Sequence, residues 1–289
     1  MTLLDLLRDN PLLLASLAGV FGLMVGSFLN VVIHRLPIMM ERDWRRQCAE
    51  LLGQPAPEMD EPPLSLSRPR SRCPNCGHQI SAAENIPVLS FLFLKGKCSS
   101  CGWAIPIRYP VIETATALLS VVVVMRFGFT WESLFALGFT WTLLAASVID
   151  FDHQLLPDDL TLPLLWAGLA LSLGGWFVAP TESIIGAMAG YLSLWSLYKV
   201  HKALTGREGM GYGDFKLLGA LGAWMGWQAL PVILLFSSLV GALVGIGLIA
   251  LRGRDKSIPI PFGPYLAAAG WITLMWGDAI IGVWLGTPP

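Results

Sequence analysis

"GMGYGDFKLLGALGAWMGW", residues 209–227, sets three glycines and a carboxylate, Asp214, directly ahead of an apolar run. What such an acid is doing depends on the medium around it. The chain of 289 residues is 54% hydrophobic and only 13% charged, with a mean hydropathy of +0.62. That is far from a soluble domain and typical of a polytopic membrane protein. Apolar runs close to the roughly 20 residues needed to cross a bilayer fall at 12–33, 110–126, 131–149, 160–178, 182–200, 215–227, 229–251 and 264–286. The expected fold is therefore all-α, with about eight transmembrane helices. The run at 215–227 is short and Gly-rich, which reads as a tilted, partly unwound or re-entrant helix. The first run carries Asp5 and Asp9 ahead of it, is too long for a signal peptide and lacks a small-residue cleavage site, so it reads as a retained span.

Lys and Arg accumulate on the cytoplasmic side of spans. With eight spans, one side receives 34–109, 150–159, 199–216 and 252–256, which together hold 17 of the 19 basic residues. That side is expected to be the cytoplasm, with both termini outside. The implied organisation is a first span at 1–33, a cytoplasmic domain at 34–109 and a membrane core at 110–289. The net charge of −1 gives no indication of nucleic-acid binding. No internal repeat and no extended low-complexity tract is evident.

The cytoplasmic segment contains the linker "GQPAPEMDEPP" at 53–63 and all five cysteines. Four of them form "CPNCGH" (Cys73, Cys76) and "CSSCGW" (Cys98, Cys101), two C-x-x-C-G knuckles. Four soft thiolates in such knuckles favour a closed tetrahedral zinc site, and a reducing compartment keeps them available. A filled tetrahedron leaves no position for catalysis, so the metal would fold a small domain. Two disulfides are the alternative. His78 is a fifth candidate ligand, and Cys48 lies outside the pattern as an ordinary thiol.

Three acidic clusters lie at predicted membrane edges on one side. "SVIDFDHQLLPDD" puts Asp150 and Asp152 at the end of the third span and Asp158 and Asp159 at the start of the fourth; "GYGDFK" puts Asp214 at the start of the sixth. A carboxylate at the hydrocarbon boundary costs several kcal/mol and tends to be neutralised, paired or functional. Two carboxyls in a low-dielectric site do not ionise together readily. One can then take a proton from water while the other polarises a scissile carbonyl. Glycines beside Asp214 would let a substrate backbone approach and would loosen the helix. Against this, Asp158 and Asp159 follow Pro157, where acids cap a helix. Asp150 and Asp152 point about 200° apart on a helix, so only one can face Asp214. A solvated interfacial charge remains open for Asp214, next to Lys216.

The ordered set "GSFLNVVIHRLP" (26–37), the two knuckles, "ENIPVLSF" (84–91), "GKCSSC" (96–101), "RYPVIE" (108–113), "IDFDHQLLPD" (149–158), "GMGYGDFK" (209–216) and "PIPFGPYL" (259–266) resembles the type IV prepilin peptidases of bacteria, leader peptidase/N-methyltransferases of the wider GxGD class of intramembrane aspartyl proteases. The resemblance implies Asp150 and Asp214 as catalytic acids, with Asp152 and Asp158 supporting. It implies as substrates prepilins and secretion-system pseudopilins, anchored in the inner membrane by an apolar helix behind a basic leader and cut at the cytoplasmic edge. It also implies methylation of the new N-terminus with S-adenosylmethionine. No G-x-G-x-x-G fingerprint marks a nucleotide site, so the candidates for the methyl-donor region are Gly96, Lys97 and Glu113. Glu113 also reads as a helix-start acid. Ser27 and Asn30 read as hydrogen bonds between helices. Competing readings are a peptidase without the methyltransferase, an ion transporter using the membrane acids, and a zinc-dependent adaptor. A serine or H-E-x-x-H metal protease has no support in the sequence.

Overall fold

In the computed structural model, residues 3–54, 64–207, 209–252 and 261–285 are described, and each of the eight apolar runs contains a helix. The linker residues 55–63, Arg254, Lys256 and the first two residues of "PIPFGPYL" lie outside the described set. In chain order the helices are α1 (Leu3–Asp9), α2 (Pro11–Leu51), α3 (Leu89–Phe93), α4 (Arg108–Phe127), α5 (Trp131–His153), α6 (Asp158–Ser172), α7 (Pro180–Thr205), α8 (Tyr212–Met225), α9 (Leu230–Arg252) and α10 (Gly263–Leu285). Among the described residues there are no strands, only two isolated bridges, Arg72 with Gln79 and Lys97 with Ala104. Among the described residues four helices, α2, α4, α5 and the Trp227–Leu248 stretch containing most of α9, are long and apolar enough to cross a bilayer. The chain divides into two compact units, Met1–Ser133 and Leu134–Pro289.

In the first unit, Asn10 accepts from the Leu13 amide at 3.1 Å and Pro11 opens α2, a start that uses a donor-free first position. The helix continues through Pro37 to Leu51, about 60 Å at 1.5 Å per residue and twice a bilayer's hydrocarbon thickness. Its second half, with Arg42, Arg45 and Arg46, therefore leaves the apolar zone as one rigid rod. α2 packs antiparallel on α4. A side chain added at Gly22 or Gly26 would lie 2.7 Å from Ala117 Cα or 2.6 Å from Glu113 Cα, the close approach that small residues allow between membrane helices. Asn30 donates to Tyr109 O at 3.2 Å along the same seam, as its expected interhelical role requires.

In the second unit α8 is the centre. Phe215, Leu217, Leu218, Leu221 and Trp224 are all buried in one cluster with residues of α5, α6, α7 and α10. The expectation of a partly unwound helix is corrected: α8 is an unbroken helix of 14 residues. At about 21 Å it is short of the hydrocarbon thickness, and its glycines serve packing. Gly222 and Gly186 meet backbone to backbone, so that a Cβ on Gly222 would lie 2.1 Å from Gly186 O. Gly222→Ala should therefore destabilise this unit by about 3 kcal/mol through overpacking, read as a fall in the detergent melting temperature. A melting point unchanged from wild type would show that the contact relaxes freely. The run at 160–178 is also shorter than read: α6 ends at Ser172, and Leu173 to Gly175 turn away.

Candidate active site

α5 ends at His153, and Gln154 takes a left-handed φ of 53°. Leu155 and Leu156 then lead to Pro157, which opens α6. That reversal leaves Asp150 in the last turn of α5. Asp214 is in the first turn of α8. Both carboxyls are buried, with residue exposures of 5% and 8%, and they are close enough to interact electrostatically. Asp152 is exposed on the other side of the α5 helix, so the 200° argument resolves in favour of Asp150.

Leu156 and Gly263 complete the surroundings. A Cβ on Gly213 would lie 2.6 Å from Leu156 Cβ, and one on Gly263 would lie 2.6 Å from Asp150 Oδ2 and 3.1 Å from Leu156 Cδ1. The Gly263 amide, at the start of α10, donates to Asp150 Oδ2 at 3.0 Å. Thus three helix ends, those of α5, α8 and α10, converge on two carboxyls. The role expected of the glycines changes in part. Gly213 is filled by Leu156 and cannot receive a substrate, whereas a Cβ on Gly211 would meet only Asp214 Oδ2, at 4.0 Å. Sequence reading misses the Gly263 contact, although "PIPFGPYL" is one of the motifs it singles out. Gly263→Ala should push the Asp150 carboxyl from its place and lower turnover by about 10²-fold, with the fold kept. Wild-type turnover in this variant would remove the glycine from the site.

The capping expected of at least one of Asp158 and Asp159 is corrected, although both acids do lie in the first turn of α6, where they suit the helix dipole. No side chain caps α6, and Pro157 occupies the cap position. Asp158 pairs instead with Lys216 Nζ, at 2.6 and 2.7 Å, joining the N-terminal ends of α6 and α8. Asp159 is an exposed first-turn acid. The rings of Tyr198, Tyr212 and Phe215 pack against one another in tilted pairs, with centroids 5.4–5.7 Å apart, beside Asp214.

In the first unit, the two knuckles have one shape, repeated 25 positions along. Cys73 N bonds His78 O and Gly77 N bonds Cys73 O; Cys98 N bonds Trp103 O and Gly102 N bonds Cys98 O. The flanking pairs, Ile80 N to Ser71 O and Ile105 N to Gly96 O, match as well. This short structural repeat lies below what the sequence reveals beyond the doubled cysteines. All four Sγ atoms lie within 4.8 Å of one another, and Cys73 Sγ and Cys101 Sγ are 3.9 Å apart. Thiolates around one tetrahedral zinc sit about 3.8 Å apart given bonds of about 2.3 Å, so the set fits such an ion. The five cysteines are all free thiols, which sets aside the disulfide alternative. His78 faces away from this role: its Nε2 contacts Glu84 Oε1 at 3.2 Å. Glu84 also accepts from the Ser99 hydroxyl and from Ser81 N and Oγ, and these donors, Ser99 foremost, hold its carboxyl down to about 2. Gly96 and Lys97 belong to the second knuckle's flank. Glu113 is buried in α4, where it accepts from Val88 N at 2.7 Å and from Ser27.

Fold and site define a helical membrane protein with a four-cysteine metal-binding cluster in one unit and a buried carboxyl pair in the other. The chain belongs to the prepilin leader peptidase/N-methyltransferase family. Residues 20–127 match the bacterial peptidase A24 N-terminal domain and residues 137–246 the type IV leader peptidase family. The chain is 60% identical to the prepilin leader peptidase/N-methyltransferase of Aeromonas hydrophila, over 96% of each chain. It is 55% identical to that of Pseudomonas aeruginosa, over 99% of this chain and 98% of the relative, and 52% identical to that of Dichelobacter nodosus, over 91% of each. No solved structure gives a significant match.

Proposed function

We propose that this protein is a bacterial inner-membrane aspartic peptidase that removes the basic leader of type IV prepilins and pseudopilins and then methylates the new N-terminus with S-adenosylmethionine. The observation that carries the peptidase is the burial of Asp150 and Asp214 together at the ends of separate helices. With one proton between them, the ionised carboxyl takes a proton from water as it attacks the scissile carbonyl carbon. The protonated one donates to that carbonyl's oxygen, and the proton then passes to the leaving amine. The Gly263 amide orients Asp150 throughout. A bond at a helix's membrane edge suits acids placed at helix ends.

The eight helices α2 and α4–α10 are the proposed spans, with the cysteine domain and both acids on the cytoplasmic side and both termini outside. The functional division is the first span at 1–33, the cytoplasmic domain at 34–109 and the protease core at 110–289. Cys73, Cys76, Cys98 and Cys101 would hold a structural zinc, which supplies folding energy and no reaction step. Gly96, Lys97 and Glu113 are the residues proposed for the methyl-donor region. The family relationship supports that second activity.

The test is the intact mass of a purified prepilin after incubation with the protein in lipid plus S-adenosylmethionine. Loss of the leader with one added methyl is the expected result. Leader loss alone would remove the methyltransferase half, and an uncut substrate with folded enzyme would overturn the whole.

A further inference from the structure

The segment Ile86–Leu94, "IPVLSFLFL", contains no charged residue, and its most exposed side chains are apolar: Leu92 is 64% and Phe93 83% exposed. It sits in the part of the chain that sequence alone assigns to water. Its depth can be read from its anchor. The Val88 amide donates to Glu113 at 2.7 Å, and Glu113 lies five residues inside the start of α4, about 7–8 Å along the helix axis. The same level on α2 is Gly26, in the middle of the apolar stretch and nine residues, or about 13 Å, inside Arg35. Arg35 marks the polar boundary, for its guanidinium donates to Ser65 O and Pro69 O of the knuckle segment at 2.8 and 2.7 Å. The chain therefore descends from the cysteine cluster to Val88, runs through α3 and climbs back to Lys95 and Lys97.

Two further features fit a low-water setting. The amides of 88, 89, 90, 92, 94, 95, 96 and 97 all bond within the protein, as backbone at membrane depth must. Glu113 thereby gains a reason for being buried in a span: it satisfies the Val88 donor where water is absent. In the same unit Ile107, just ahead of α4, and Val111, Leu118 and Met125 along it are exposed apolar side chains, as lipid-facing positions are.

We propose that residues 86–94 are a monotopic insertion, a hook that buries Leu89, Leu92 and Phe93 in the bilayer leaflet on the side of the cysteine cluster, with Lys95 and Lys97 at the headgroups. It fixes the cysteine-cluster domain against the membrane surface instead of leaving it hanging from α2 and α4 alone. The occupant of the exposed face is lipid, because the anchor sets its depth within the apolar zone.

The experiment is Phe93→p-benzoylphenylalanine in the full chain, reconstituted in phosphatidylethanolamine and phosphatidylglycerol vesicles, irradiated and weighed intact. The expected product carries the mass of one phospholipid, and the same probe at Gln79, on the knuckle, gives none. An adduct at position 93 with a second copy of the chain or with added prepilin would overturn the proposal, as would a yield of lipid adduct no higher than at Gln79. Because the probe could perturb folding, hydroxyl-radical labelling of the unaltered protein in the same vesicles is the second measurement. Phe93 should be as protected as Phe21, a lipid-facing residue of α2; labelling of Phe93 well above Phe21 would sink the hook.

Discussion

Asp150→Asn and Asp214→Asn should each lower leader removal by about 10²- to 10⁴-fold, the range that a positioned acid or base contributes. The double variant should be no slower than the slower single one, because the two carboxyls act as a unit and the loss of either removes the whole proton relay. Both substitutions keep the shape of the side chain, and in Asp150→Asn the carboxamide oxygen can still accept from the Gly263 amide. Melting temperature and metal content should therefore stay near wild type. The measurement is single-turnover cleavage of a prepilin in lipid, followed by mass. If either single variant retained wild-type turnover, the pair would not be the catalytic dyad, and Asp152 or Asp158 would need testing instead. If the double variant lost the product of the two single effects, the acids would act independently, and the shared-proton mechanism would fail.

Stripping the metal, by chelation or by Cys73→Ser, should have the largest structural effect. Zinc in structural sites contributes about 10–16 kcal/mol to the folding of small domains, and residues 64–107 have little else. The two knuckles, α3 and a few turns bury few large apolar side chains, and Cys73 itself is the buried one among the four ligands. The expected result is rapid proteolytic cutting between 64 and 107, with the second unit left resistant, since its cluster around α8 contains no cysteine. Cys48→Ser, at an exposed thiol of α2, should change neither property. A metal-free chain that resists protease as well as the loaded one would show that the cluster does not support this domain.

Legibility follows the range of the interactions involved. The eight apolar runs announce eight helices because hydropathy is a local property, and the run at 215–227 is unusual on the same local grounds. Its reading as a loosened helix goes wrong because glycine has two uses that composition does not separate. Gly222 is there for contact with Gly186 on α7, a neighbour visible only after packing. The same limit explains Asp158. Behind Pro157 it has the local signature of a cap, yet Lys216, 58 positions away, captures it. Nothing local distinguishes those two fates.

What the sequence determined by itself was the membrane character, the four metal-binding cysteines, and Asp150 and Asp214 as the acids to examine, since each rests on composition, short spacing or a motif. The burial of Asp150 with Asp152 left exposed, the Gly263 amide on its carboxyl, the use of Leu156 to fill the space at Gly213, and the level of the 86–94 segment against α4 are visible only in the tertiary structure. Each depends on which helix ends meet, and that is set by side-chain packing between segments far apart in the chain.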